Sequence, residues 1–92
     1  MKYKKKPITI EAFRWGFEQP PEWFDKAIDE GKILFPVKGN WDIEIETLEG
    51  RMGTNAGSYI VQGVNGELYP CVAEVFEKTY ERVEDEHVSG LG

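Results

Sequence analysis

Asn65-Gly66 sits between two short strand-forming stretches, SYIVQGV and ELYPC. An Asn-Gly step flanked in this way is the strongest short-range hairpin signal a sequence carries, because both turn positions tolerate φ > 0. A connection that short joins antiparallel strands, since a parallel pair needs a crossover of about a dozen residues or more. Most other connections in this chain are equally brief, so the expected sheet is mostly antiparallel.

Other segments fit that frame. WDIEIETLEG (residues 41–50) alternates cleanly: Trp41, Ile43 and Ile45 fall on one face, and Asp42, Glu44 and Glu46 on the other. KYKKKPITIEAFRW (residues 2–15) also reads as a strand, with Pro7 suited to its start or to a sheet edge. KILFPV is a brief apolar run, Gly39-Asn40 a turn, and Arg51 to Thr54 a short strand able to pair back. QPPEWFDKAIDEGK carries helix punctuation: prolines in the first turn, acids near the positive dipole end, and Gly31 as the C′ residue. Its apolar face is Trp23, Phe24, Ala27 and Ile28, and the helix is expected over about residues 21–30.

The last segment reads two ways. Val72, Val75, Phe76, Thr79, Tyr80 and Val83 have helical spacing, yet Thr79 to Val83 also suits a closing strand. A short helix over about residues 73–78 followed by a strand is expected, with one continuous helix as the alternative. Pro70 is expected to end the second hairpin strand.

The fold class that results is α+β: a small single domain over residues 1–83, with a curved, mostly antiparallel sheet of about five or six strands, one clear helix and a short second one. Residues 84–92 read as an acidic tail. Ninety-two residues cannot fill two cores. Five Phe, four Tyr and three Trp give one core ample area, at roughly 150–250 Å² per ring.

Charge narrows the partners. Seventeen acidic residues against eleven basic ones give −6, which repels phosphate backbones and argues against general nucleic-acid binding. Lys2, Lys4, Lys5 and Lys6 crowd one end of the chain, while Glu81, Glu84, Asp85 and Glu86 crowd the other. If the lysine stripe and the Asp42/Glu44/Glu46 ladder lay on neighbouring strands, they would pair. If not, the ladder is free to meet a basic partner surface. One cysteine excludes an intrachain disulfide framework and fits a reducing cytosol. No apolar run approaches the ~20 residues of a membrane helix. A cytoplasmic protein with no membrane partner is expected.

Candidate chemistry is sparse. Cys71 is the only thiol and His87 the only imidazole. The acidic surroundings of His87 would raise a thiol pKa, and one Cys with one His supply half of a structural zinc set. Asp42, Glu44 and Glu46 stand about 7 Å apart on one strand face, a spacing glycosidase pairs also use, yet the polar face of an alternating strand is by default solvated. GVNGE lacks the phosphate-loop pattern. No catalytic residue, metal or cofactor is expected.

The aromatic residues exceed the needs of a minimal core, and surplus rings mark contact faces. FRWGFEQPP fits the core least well, so Trp15 and Phe17 are the leading contact candidates. Arg14 and Arg51 are the cations that would serve a nucleotide-like ligand, and Tyr69, before Pro70, is a further contact candidate.

KYKKKPITIEAFRW, IETLEGRM and GSYIVQGVNGELYPCVAEVFEKTYERV together resemble the PGDYG family of small phage and prophage proteins, over most of the chain. The name-giving turn stands here as Ala56-Gly57-Ser58-Tyr59, and Val72-Ala73 follows the cysteine where the family usually has a Pro. The resemblance implies a phage-encoded protein acting in the cytoplasm of a bacterial host, with no known catalytic residues. The expected function is non-enzymatic binding: a counter-defence or host-modulating inhibitor that engages a host protein. The alternatives are a sponge for a nucleotide-like signal molecule and, last, a Cys71-dependent enzyme. A homo-oligomer is compatible with each.

Overall fold

The computed structural model describes residues 1–4 and 6–83. Six strands and two helices follow in the order β1 (Glu11–Arg14), α1 (Glu22–Asp29), β2 (Ile33–Leu34), β3 (Ile43–Thr47), β4 (Gly50–Thr54), β5 (Tyr59–Gln62), β6 (Leu68–Cys71) and α2 (Ala73–Thr79). All strand pairings are antiparallel, and the α+β class stands. The strands divide into two three-stranded ladders, β1-β5-β6 and β2-β3-β4, with β3 and β4 packed against β6.

The hairpin forms, but its turn differs from the expected one. Gly66 alone takes positive φ (+83°), whereas Asn65 does not. The Gly63 N–H donates to the Glu67 carbonyl at 2.8 Å and the Gly66 N–H to the Gly63 carbonyl at 3.0 Å. The loop is therefore Val64-Asn65-Gly66, a three-residue connection closed by a left-handed glycine. The Glu67 carboxylate holds the Asn65 N–H at 2.9 Å. Pro70 lies inside β6 opposite Ile60, not at its end. Because 63 bonds with 67, the alternation turns the nitrogen of residue 70 away from β5, toward the side where no ladder donor is needed.

Helix α1 ends as its glycine foretold. Gly31 has φ +77°, its N–H reaches the Ile28 carbonyl at 3.0 Å, and the Lys32 N–H reaches Ala27 at 2.9 Å. This is the paired-bond Schellman ending. Phe24 and Ala27 are buried, with Trp23 and Ile28 partly so. They close a core with Phe13, Ile60 and Leu68 from one sheet and Ile33, Ile43 and Ile45 from the other.

Two expectations for the ends of the chain fail. Only Glu11–Arg14 of the long N-terminal strand pairs, because β5 offers four partners before Gly63 turns away. The lysine stripe is consequently nowhere beside β3, whose neighbours are β2 and β4. At the other end, α2 stops at Thr79, and Tyr80 is extended without joining a ladder, so the closing strand is absent among the described residues. The acidic tail 84–92 and His87 lie outside the described residues. No helix of the described chain is long and apolar enough to cross a membrane.

Candidate functional site

Strand alternation gives the first sheet two faces. Phe13, Ile60 and Leu68 point into the core, while Ala12, Arg14, Tyr59, Val61, Tyr69 and Cys71 share the opposite face by register. A continuous run of rings covers that second face. The Arg14 guanidinium lies 4.4 Å from the Phe17 ring centroid and 5.8 Å from that of Tyr59. Its Nε donates to the Gly57 carbonyl at 2.8 Å. Tyr59 stacks on Phe76 of α2 at 3.9 Å and 10°, and Phe76 meets Tyr80 at 4.9 Å. The Tyr80 and Tyr69 hydroxyls are 3.3 Å apart, and the Tyr59 hydroxyl donates to Glu77 at 3.2 Å.

This setting shifts three groups. Burial, then the hydrogen bond with Tyr80, holds the Tyr69 phenol well above its usual range. Burial and the Glu77 carboxylate raise Tyr59. Burial alone raises the Cys71 thiol, which is half-buried, so its thiolate fraction at neutral pH is reduced. A groove of about 1120 Å³ runs beside the rings, between residues 7–12 on one side and α2 with residues 80–83 on the other.

The outer face of the second sheet is the other candidate surface. Leu34, Glu44 and Gly53 form one cross-strand row, and Glu46 faces Arg51 in the next register position. Trp41 lies flat over Gly53, where any side chain would strike the indole. Trp41 is 48% exposed, although its spacing with Ile43 and Ile45 placed it on the inner face. Asp42 explains the crossing. Its carboxylate accepts the Ala56 N–H at 2.8 Å while its own N–H donates to Asn55 Oδ1 at 2.7 Å. That reciprocal clamp precedes β3, breaks the alternation and frees Trp41 to swing outward.

The expected site residues thus separate. Arg14, Phe17 and Tyr69 belong to the ring-bearing face of the first sheet; Glu44, Glu46 and Arg51 belong to the outer face of the second. Asp42 clamps a turn. Trp15 packs on Phe24 (5.6 Å) and Phe35 (6.0 Å), largely as core. Phe13 is buried, and Gly16 at φ +85° turns Phe17 away to 68% exposure. Trp41 was missed, although Gly53 within a strand was a usable signal of close approach. A smaller cavity of about 330 Å³, lined among others by Glu49, Met52, Glu67 and Tyr69, has no Lys or Arg among the described residues of its wall. Among the described residues, no group of three or more His, Cys, Asp or Glu is placed to hold a metal ion. Comparison with known proteins found no matching family model, curated protein or solved structure.

Proposed function

We propose that the protein works by binding: a non-enzymatic accessory protein of phage or prophage origin that engages a basic surface on a host protein and inhibits or redirects it. The phage setting rests on the sequence resemblance. The binding role rests on one observation, the indole of Trp41 held flat on Gly53 beside Leu34, Glu44 and Glu46. A large ring already fixed in place loses little conformational freedom on contact, which is what makes Trp an effective interface anchor. Glu44, directly across from Gly53, supplies complementarity to lysine and arginine and hence salt-sensitive association, whereas Glu46 already faces Arg51 across the ladder.

Sequestration of a nucleotide-like signal has less support. The groove beside α2 has stacked rings, Lys78 and Arg82, but Glu11, Glu18, Glu77 and Glu81 line it too and oppose a phosphate. Thiol chemistry at Cys71 would have to begin from a raised pKa.

The test is affinity capture from bacterial host lysate with wild type, Trp41→Ser and the pair Glu44→Gln/Glu46→Gln. A specific host protein retained by wild type, released by salt and lost from both variants supports the proposal. Equal retention by Trp41→Ser, with its fold intact by circular dichroism, overturns it.

A further inference from the structure

The groove beside α2 and the N-terminal arm are complementary in charge, yet one chain cannot join them. Among the described residues lining the groove, Glu11, Glu18, Glu77 and Glu81 face two cations, Lys78 and Arg82, and Lys78 is already paired with Glu74 at 3.4 Å. The arm brings Lys2, Lys4, Lys5 and Lys6 in five residues. Lys2, Lys4 and Lys6 are exposed, Tyr3 is 89% exposed, and Ile8 half-exposed. The arm has the period-two pattern of a strand, and its described residues have no ladder partner.

The backbone of β1 supplies the place to pair. The Trp15 N–H donates to the Ser58 carbonyl at 2.9 Å, so odd-numbered residues of β1 bond toward β5 and even-numbered ones face outward. Arg14 is blocked: Glu18 Oε1 takes its N–H at 2.7 Å, and the N–H groups of Phe17 and Glu18 take its carbonyl. Ala12, which lines the groove, is then the β1 residue whose N–H and carbonyl point away from β5, on an open edge of the kind that recruits another strand. The chain's own arm cannot reverse into this site. Pro7, next to Lys6, already belongs to the groove wall, and a β-turn takes four residues, which would consume the arm.

We infer that the groove is the seat of a second copy: two chains exchange N-terminal arms about a twofold axis, each arm lying antiparallel along the partner's β1 edge with its lysines beside Glu11, Glu18, Glu77 and Glu81. Such an isologous contact is self-complementary and closed. It uses the β1 edge and the α2 side of the first sheet, so it leaves the Trp41 surface on the second sheet free for a host protein.

Sedimentation of the full chain across a wide concentration range tests this, with two charge-reversed variants. One carries Lys2→Glu, Lys4→Glu, Lys5→Glu and Lys6→Glu; the other carries Glu77→Lys and Glu81→Lys. Wild type should form a dimer that dissociates with added salt. Each variant alone should dimerise roughly tenfold more weakly or worse, because like charges then meet across the contact. An equimolar mixture should form a heterodimer, since opposite charges are restored in both arms, and that restoration also shows that the variants fold. A monomeric wild type, as for an arm seated in its own groove or a groove reserved for a foreign basic peptide, overturns the inference. So does a variant that dimerises like wild type, or a mixture that stays monomeric. Failure here leaves Trp41-dependent host capture untouched, and the reverse holds too.

Discussion

The two faces of the first sheet use aromatic residues in different ways. On the α1 side, Phe13, Phe24, Ile60 and Leu68 are 4% exposed or less, and Phe13 meets Phe24 edge-to-face at 4.9 Å. On the α2 side, Val61 is fully buried, but α2 itself has no buried residue. That helix is held by the Tyr59–Phe76 stack and two tyrosine hydroxyl contacts. Seven residues with neither end capped by a side chain would not persist in water alone. One face therefore specifies the fold, and the other docks a removable cover. The cover is also a groove wall, which places the recognition surface on the less stable part of the molecule.

The sharpest attack on this comparison is a matched pair of truncations. Phe24→Ala should lower unfolding stability by about 3–5 kcal/mol in urea titration, since it opens a cavity in a closed core. Phe76→Ala removes a half-buried ring and one stack, and should cost about 1–2 kcal/mol. Amide exchange should then separate the faces. In Phe76→Ala, α2 amides should exchange much faster while β5 amides keep most of their protection. Similar costs for the two substitutions would mean that the faces belong to one core.

The same asymmetry decides what could be read from the sequence. Helix α1 was legible to within a residue or two because punctuation and periodicity agree: prolines before it, Gly31 after it, and Phe24 and Ala27 on the inner stripe. The hairpin was legible for the same reason, though the fold uses a three-residue loop in which Gly66 alone takes positive φ. The candidate sites were far less legible. Alternation states which residues share a face, but not where the alternation stops. Asp42 ends it by clamping Asn55 and Ala56, and Trp41 leaves the inner face as a consequence. Gly16, at positive φ just after β1, does the same there and leaves Phe13 buried but Phe17 exposed. The lysine stripe failed for another reason: period two shows that a segment can pair, while the partner is chosen by tertiary contacts far along the chain.

Tyr69 and pH sharpen the comparison at smaller scale. The folded protein holds the Tyr69 proton above the usual pKa of 10.0, and Tyr59 shifts in the same direction. A raised folded-state pKa means that the native state binds more protons than the unfolded chain in the intervening range. The contribution is therefore complete below about pH 10 and is lost as pH climbs past it; the raised Cys71 thiol, from 9.0, adds a loss of the same sign slightly earlier. Stability should decline from near pH 9 upward, and Tyr69→Phe should flatten that decline. The substitution should also cost about 0.5–1.5 kcal/mol at neutral pH, the usual net worth of one hydrogen bond. A wild-type profile that stays flat to pH 11 would show that the tyrosine pair contributes nothing to holding α2.

The smallest effect is expected at Cys71, which makes it the most sensitive gauge of the cover. The thiol lies opposite Tyr59 in register on the α2 side, half-buried, with burial as the cause of its raised pKa. Cys71→Ala should change stability by less than ~1 kcal/mol, because little volume is lost from a site that is already partly open. Iodoacetamide at neutral pH should modify the wild-type thiol more slowly than a free peptide thiol, since less thiolate is present. In Phe76→Ala the rate should rise toward the peptide value without global unfolding, because a loosened α2 readmits water to the thiol. A rate equal to that of the peptide in wild type would mean that α2 spends much of its time undocked. An unchanged rate in Phe76→Ala would mean that the Tyr59–Phe76 stack is not what seats the helix.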